Sequence, residues 1–254
     1  LTEVRQHWVN GAWVNIFLTT YTYDANSLRL TLLREHWING AWVNSYRYIY
    51  TYDENGHRII DLYQQVTNGA WVNFRRDIYT YNESGDLITR QQEEWSGNMW
   101  KNYERLTHTY NASGSLLSVF RELWISQNNA WENSWRTTYT YNGNENLLTQ
   151  LHEEWASAAW RNFRKINYTA DGNGNCISGE SFQWENNAWT IEDLDIAIYY
   201  NRSDTMSFNA NYVSVQYSVF TSIDDKNPSE MNYSLTQNYP NPFNPSTVIS
   251  FEVP

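Results

Sequence analysis

Acidic side chains are the first residues of this chain that could carry acid–base chemistry. Adjacent carboxylates occur at Glu93-Glu94 and again at Glu153-Glu154. Neighbouring residues of a strand point to opposite faces, so neither pair can work as a joint general acid and base. We therefore interpret these residues as solvated side chains or as members of hydrogen-bonded ladders.

Metal binding is the second chemistry to consider. His7 and His36 are 29 residues apart, and an intervening strand would hold them roughly 9–10 Å apart, too far to share a zinc ion. Segment 171–175 begins like a calcium loop, but Cys176 and Phe182 stand where that loop needs glycine and an acidic ligand. No Ser-His-acid arrangement, phosphate loop or nucleotide fingerprint is apparent. We expect no catalytic site, metal or cofactor.

The elements that would position any site belong to a tandem repeat marked by tryptophan. Of 14 tryptophans, 13 fall in two rows with a period of 29 residues and one interval of 31. A fixed period indicates one supersecondary unit copied along the chain, which argues against an enzyme because no copy concentrates a chemistry. The rows are Trp8, Trp37, Trp95, Trp124, Trp155 and Trp184, and Trp13, Trp42, Trp71, Trp100, Trp131, Trp160 and Trp189.

Each repeat predicts a hairpin of two antiparallel strands. Asn39-Gly40 separates two stretches rich in β-formers, which is the strongest short-range hairpin signal. A two-residue turn there pairs Trp37 with Trp42. The same register places Glu35 opposite Asn44 and Leu32 opposite Arg47.

The link between repeats predicts a second kind of turn. The Asp-Glu-Asn-Gly segment that starts at Asp53 is typical of a type I turn with a G1 bulge. That geometry pairs Asp53 with His57 and Thr51 with Ile59. The alternative, a two-residue turn, pairs Tyr52 with Ile59 and places this isoleucine on the other face.

Strand alternation sorts the side chains into two predicted faces. One face carries the tryptophan rows, an asparagine row, a Glu/Gln row and paired tyrosines such as Tyr50 and Tyr52. The other face carries a threonine row that includes Thr51 and a cationic row that includes Arg47. An apolar face must be covered, so we expect the tryptophan face to pack as a core. The alternative is an open aromatic platform that stacks on sugar rings.

The candidate strip for packing or ligand binding combines indoles with neighbouring amide and carboxylate side chains. Tryptophan beside asparagine and glutamate is a composition that can stack on a sugar ring and hydrogen-bond its hydroxyls. The strip consists of Trp8, Trp13, Trp37, Trp42, Trp71, Trp95, Trp100, Asn44, Asn73 and Glu35.

Two sequence motifs of the repeat resemble known repeat families. The turn segment Tyr52–Gly56, Tyr-Asp-Glu-Asn-Gly, resembles the YD repeats of RHS-type proteins, which build long curled β-sheets. The segment Trp37–Trp42 is similar to choline-binding repeats. The period of 29 residues is longer than in either family.

The C-terminal segment carries a more specific resemblance. The run from Tyr233 to Thr247, Tyr-Ser-Leu-Thr-Gln-Asn-Tyr-Pro-Asn-Pro-Phe-Asn-Pro-Ser-Thr, resembles the opening of a type IX secretion C-terminal sorting domain. Such domains belong to the Bacteroidota and their relatives and direct cargo across the outer membrane. The resemblance implies an extracellular or outer-surface location and contact with the secretion machinery.

These patterns predict an all-β chain of three parts. Residues 1–220 form an antiparallel meander of about seven two-stranded repeats, curled into a barrel-like or spiral sheet. Four of the five prolines lie in 228–245, so residues 221–245 read as an extended linker. Residues 246–254 supply the first strand of a truncated segment that resembles the sorting domain.

The overall composition disfavours some classes of partner. The 254 residues carry a net charge of −11 with a pI near 4.9, which disfavours nucleic acid as a partner. No apolar run approaches the 18 residues of a membrane helix, so we expect no membrane insertion. One cysteine, Cys176, precludes an internal disulfide framework.

The sequence therefore predicts an exported, non-catalytic β-repeat protein with a structural or adhesive role. A specific version is a homo-oligomer or filament joined through edge strands, with Val248, Ile249 and Phe251 in the intersubunit strand. The alternative is a carbohydrate-binding module that holds glycans on its Trp/Tyr face.

Overall fold

The computed structural model describes residues 1–172, 174–192, 194–200, 204–210, 212–214 and 247–248. These residues form an all-β chain, as the period-two patterns predict. The strands are β1 (Thr2–Val9), β2 (Ala12–Tyr23), β3 (Arg29–Ile38), β4 (Ala41–Tyr52), β5 (Arg58–Thr67), β6 (Ala70–Tyr81), β7 (Leu87–Ser96), β8 (Met99–Tyr110), β9 (Leu116–Ile125), β10 (Ala130–Tyr141), β11 (Leu147–Ala156), β12 (Ala159–Ala170), β13 (Cys176–Glu185), β14 (Ala188–Ile191), β15 (Leu194–Tyr200), β16 (Asp204–Ala210), β17 (Tyr212–Ser214) and β18 (Thr247–Val248).

The strands follow one another in the sheet as they do in the chain, which confirms the predicted meander. The order runs from β1 to β13 without a crossover, and the sheet is not closed. The outer edge of β13 is shared, since its end pairs with β14 and its beginning pairs with β17. Strand β18 adds in parallel to β17, and β15 and β16 form a separate two-stranded sheet.

The described residues divide into two compact units. The first contains Leu1–Thr109 and Phe120–Ser134, and the second contains Tyr110–Val119 and Trp135–Pro254. The predicted linker, residues 221–245, lies outside the described residues.

The hairpin turns have the geometry that the Asn-Gly signal predicts. Asn39 and Gly40 both have positive φ, at 51° and 84°, as a type I′ turn requires. The prediction that Trp37 pairs with Trp42 is confirmed. The turn of the β11–β12 hairpin keeps positive φ at both residues although its sequence is Ser-Ala.

The turn that links repeats is also the predicted one. The N–H of Asp53 donates to the His57 carbonyl at 2.9 Å, and the N–H of Gly56 donates to the Asp53 carbonyl at 3.2 Å. The Asp53 side chain accepts the N–H groups of Asn55 and His57 at 3.0 and 2.8 Å. Gly56 has a φ of 83°, the left-handed position that glycine adopts without a steric penalty.

A β-bulge in each of several hairpins overturns part of the predicted register. Glu35 lies opposite Asn44 as predicted, but the next pair is Arg34 with Tyr46, which leaves Ser45 as an extra residue. The shift recurs at the matching place in β1–β2, β5–β6, β7–β8 and β11–β12. Because a one-residue shift exchanges the two faces, the side chains of the longer strand beyond the bulge, such as Arg47, lie on the face opposite to the predicted one.

Two predicted pairings are wrong for this reason. Arg47 lies opposite Leu33 instead of Leu32. A second bulge on the far side of the linking turn places Thr51 opposite Ile60, not the expected Ile59. The two bulges compensate, so the 12-residue strands and the 10-residue strands remain in one ladder.

The two faces therefore differ from those predicted. We call the side with the indoles the tryptophan face; it also carries the cationic row and the threonines, since Arg76 lies over Trp100 and Thr80 bonds to Thr89. We call the other side the tyrosine face. The predictions that tyrosines share the tryptophan side, and that the threonines and the row of Arg47 lie across from it, are wrong.

The tryptophans do not form a core. All 14 lie among the described residues and none is buried, which overturns the expected core packing. The first pair is the most open, with Trp8 59% and Trp13 63% exposed. Buried side chains of the tyrosine face include Thr19, Asp77 and Gln92, which are 1%, 5% and 6% exposed. The buried part of the tyrosine face is therefore polar as much as apolar.

Candidate functional site

The predicted strip is assembled as a series of cross-strand indole pairs. Each pair stands next to a hairpin turn, where opposed side chains come close enough for edge-to-face packing. The centroid distances and interplanar angles are 5.2 Å and 70° for Trp8–Trp13, 4.9 Å and 68° for Trp37–Trp42, and 5.0 Å and 68° for Trp95–Trp100. Trp71 has Val66 as its cross-strand partner instead of an indole.

A cation from the preceding repeat covers the second indole of five repeats. A cationic head within about 6 Å of an indole centroid is attracted to the ring face. The bulge after the asparagine aims this cation at the tryptophan face, which is why the sequence prediction missed the contact. The contacts are Arg47–Trp71 at 4.5 Å, Arg76–Trp100 at 4.6 Å, Arg105–Trp131 at 4.8 Å, Arg136–Trp160 at 4.6 Å and Lys165–Trp189 at 4.9 Å.

The same cations hold the Glu/Gln row. Arg105 donates through Nη2 and Nε to Glu122 Oε2 at 2.6 and 2.8 Å. Arg136 donates through Nε to Glu153 Oε2 and through Nη2 to Glu153 Oε1, and hydrogen bonding to this carboxylate raises the pKa of the guanidinium. Arg76 pairs with Glu93. The carboxylates are therefore bound to partners across the ladder.

Amide side chains extend the ladder towards the hairpin turns. Gln64 accepts from Arg47 Nε at 2.7 Å and donates to Asn73 Oδ1 at 2.7 Å. Glu35 lies directly opposite Asn44 in the strand register. The structure thus brings the predicted strip residues into one line of aromatic, cationic, acidic and amide groups.

The tyrosine face of the first unit carries a second ionic network that the sequence did not reveal. Asp77 accepts from Arg90 Nη2 at 2.8 Å, and Arg121 Nη2 reaches Glu104 Oε2 at 2.7 Å. Arg90 also lies 3.7 Å from Glu104, which links the two pairs. Buried charges persist when they are paired and hydrogen-bonded.

Burial shifts the pKa values of ionisable side chains on the tyrosine face. Desolvation raises the pKa of the Asp61 carboxyl, although the Arg58 guanidinium opposes that shift. Tyr79 donates its hydroxyl to Asp61 Oδ2 at 3.0 Å, and burial raises the pKa of Tyr79 to about 12. These groups hold adjacent strands together.

The chemistry suggested by isolated motifs is not assembled in the described residues. Glu93 and Glu153 are each bound to an arginine, while their neighbours Glu94 and Glu154 are exposed. No group of three or more His, Cys, Asp or Glu suited to a metal ion occurs in the described part of the chain. In the segment that resembles a calcium loop, Asp171 accepts the N–H of its own turn at Asn175.

The predicted intersubunit strand is described only at its start. Residues Thr247–Val248 pair in parallel with Val213–Ser214 of the same chain. Ile249 and Phe251 lie outside the described residues. Within the described residues, no helix is both long enough and apolar enough to span a membrane.

Comparison with known proteins finds similarity in structure alone. No family model and no curated protein matches the chain. A protein of unknown function from Bacteroides fragilis NCTC 9343 is 16% identical with a TM-score of 0.39, covering 46% of this chain and 89% of its own. A DUF3836 family protein from Bacteroides vulgatus ATCC 8482 is 27% identical with a TM-score of 0.29, covering 34% and 89%.

A third solved structure covers more of the array. It is described as TcdB2-TccC3-TEV, is 13% identical with a TM-score of 0.30, and covers 78% of this chain but 12% of its own. Scores of this size identify neither a family nor an activity. The function must therefore be argued from the residues of this chain.

Proposed function

We propose that this chain is an exported, non-catalytic β-repeat protein with a structural or adhesive role at the cell surface or in extracellular assemblies. The observation that supports it most is the reuse of one set of contacts. In successive repeats a cation covers an indole and binds the Glu/Gln row, as Arg76 does with Trp100 and Glu93. Side chains that hold neighbouring strands together favour a mechanical role.

Support for export comes from the C-terminal sequence alone. The segment from Tyr233 to Thr247 resembles the opening of a sorting domain that carries cargo across the outer membrane. The test is expression of the full open reading frame in its native host, followed by immunoblots of medium, surface and periplasm. Deletion of everything from Tyr233 onward should trap the protein in the periplasm, whereas unchanged surface display would refute export by this route.

The filament version of the proposal rests on strand pairing. Thr247–Val248 adds to the edge of β17 within one chain, and the same pairing made between chains would link subunits. Sedimentation velocity from about 1 to 100 μM, with negative-stain electron microscopy, should show concentration-dependent assemblies. Removal of residues 246–254 should abolish them. Monodisperse particles at every concentration would contradict the filament version.

Carbohydrate binding is the second candidate, favoured by the open indoles. Trp13 is 63% exposed, whereas Trp100 is partly covered by Arg76 at 4.6 Å. Open indole rings beside amide groups suit sugar recognition. A glycan array should therefore find ligands whose binding falls in Trp13→Ala and survives in the matched variant Trp100→Ala. An array without hits would remove this candidate.

A further inference from the structure

The tyrosine that ends an even-numbered strand ties together the two strands of its own hairpin. Its hydroxyl donates to the carbonyl at the start of the preceding odd-numbered strand, which is its neighbour in the sheet. The phenol thereby fills the tyrosine face beside the linking turns and satisfies a carbonyl beyond the end of the ladder. The three bonds, each 2.8 Å long, are Tyr52–Arg29, Tyr81–Arg58 and Tyr141–Leu116.

Strand β12 breaks this pattern because it ends in alanine. Ala170 pairs with Cys176 just as Tyr141 pairs with Leu147, so the two strand ends are equivalent. The carbonyl that a tyrosine at position 170 would reach, by the spacing of the Tyr52 and Tyr81 bonds, is that of Leu147. Alanine offers neither the ring nor the hydroxyl.

A cavity of about 400 Å³ lies at the place of the missing ring, inside the second compact unit. Ligand pockets are typically about 300–1,000 Å³ and are lined by apolar and aromatic groups with a few polar ones. Gly114 at its rim is exposed, so the cavity is open to solvent. Its walls include Tyr139, Tyr141, Asn146, Leu147, Ala170 and Cys176.

Asn146 supplies an unsatisfied polar group in that wall. It occupies the position of His57, whose ring stacks on Tyr81 with centroids 4.8 Å apart. Asn146 is 8% exposed, and its Oδ1 atom is buried without a hydrogen-bond partner. Buried polar atoms in native proteins normally have partners, so an orphan acceptor beside a cavity points to a missing donor.

We infer that this cavity binds a phenol group, either of a small free phenol or of a tyrosine side chain on another chain. The ring packs against Leu147, Cys176 and Tyr141, in the space that the repeat's own tyrosine fills elsewhere. The hydroxyl donates its single proton to the Leu147 carbonyl, as the tyrosines of other repeats do, and Asn146 Oδ1 accepts from a separate donor, such as a backbone N–H beside a bound tyrosine side chain.

Titration of the full chain with 4-fluorophenol, followed by fluorine NMR, tests the inference. We expect saturable binding at one site. Fluorobenzene lacks the hydroxyl and should bind roughly threefold to tenfold more weakly, the loss that a missing hydrogen bond brings. Parallel titration with N-acetyltyrosinamide distinguishes the sources: competition with 4-fluorophenol indicates a tyrosine-bearing partner, and binding of the free phenol alone indicates a small-molecule ligand.

Variants of the same position provide the control. Ala170→Tyr restores the repeat's own phenol, so it should abolish binding and raise the thermal midpoint. If that variant does not fold, Cys176→Leu narrows the same cavity with a residue that other repeats carry there, and it too should weaken binding. Tyr81→Ala removes the phenol that stacks on His57 and bonds to Arg58, so it should create a second site there. Unchanged binding in both filled variants, or no saturable binding by the native chain, would overturn the inference.

Discussion

Replacement of Arg105 by methionine tests whether the cationic row stabilises the array. Methionine keeps much of the length and apolar stem of the side chain but removes the guanidinium. That group lies 4.8 Å from the Trp131 centroid and 2.6 Å from Glu122 Oε2. The change therefore removes a cation–π contact and an ion pair while it leaves Glu122 in place.

The expected loss of unfolding free energy follows from these contacts. A cation–π contact at a half-exposed site contributes about 0.5–1 kcal/mol. The ion pair adds at most about 1 kcal/mol, because the arginine side chain is 33% exposed. Glu122, only 14% exposed, then loses a charged donor, a cost of about 1–3 kcal/mol. Since the last two effects overlap, we expect about 2–3 kcal/mol in total.

Urea denaturation followed by tryptophan fluorescence and circular dichroism measures the loss. The matched control is Lys101→Met, which removes the same charge from an exposed position of the same strand and should cost less than about 0.5 kcal/mol. Because repeat arrays can unfold in steps, both probes must report one transition before a single free energy is assigned.

The double variant with Glu122→Leu separates the ion pair from the indole contact. It removes the stranded carboxylate and should recover about 1 kcal/mol or more of the loss. Equal midpoints for Arg105→Met and the native chain would refute a stabilising role for the cation. If the double variant loses more free energy of unfolding than the two single variants together, then Arg105→Met does not leave the Glu122 carboxylate uncompensated.

Three further predictions concern turns and titration. Changing Ser157-Ala158 to Asn-Gly should raise the thermal midpoint, because both residues have positive φ, at 54° and 61°, and the strain relieved is about 1 kcal/mol. Gly85→Ala should lower stability by about 1–3 kcal/mol in urea titration, since φ is +85° and a Cβ would lie 2.9 Å from His57 Nε2. Burial lowers the pKa of His108, so the unfolded chain takes up the proton before the folded chain does. The free energy of unfolding should therefore be full above about pH 6.5 and fall as the pH drops through that range. His108→Tyr should reduce this loss between pH 7.5 and 5.5.

Controls for these predictions come from the same chain. Gly143→Ala adds a methyl group where no atom lies within 4 Å and φ is not positive, so its midpoint should stay unchanged. An Asn-Gly turn that leaves the midpoint of the β11–β12 hairpin unaltered would contradict the assignment of strain. A native chain whose stability does not change between pH 7.5 and 5.5 would contradict the proposed role of His108.

The hairpins and both kinds of turn could be predicted from the repeat alone. Asn-Gly turns and the tryptophan period are local signals, and the pairing of Trp37 with Trp42 follows from the two-residue turn. The bulge at Ser45 could not be predicted, because nothing in the sequence around it marks an extra residue. Both faces carry aromatic and polar side chains, so hydrophobic alternation could not correct the register.

That one missed residue explains most of the errors at the candidate site. Placing Arg47 and its equivalents on the wrong face concealed their contact with the next indole and with the Glu/Gln row. A signal was present: the cations share the 29-residue period of the tryptophans, which a surface row with no fixed partner would not need to keep. Open indoles were also unexpected, since an aromatic strip usually implies burial.

The reach of the arginine contacts sets how the chain can change in length. Arg47 touches an indole 24 residues ahead, in the next repeat, whereas Tyr52 donates to a carbonyl 23 residues behind, in its own hairpin. Duplication or loss of one whole copy would recreate the same junction. Extra residues in a hairpin turn also preserve it, since Arg105 still lies 4.8 Å from the Trp131 centroid across the longer turn between β9 and β10. Such an array can therefore be lengthened or shortened by whole repeats without loss of the contacts between those that remain.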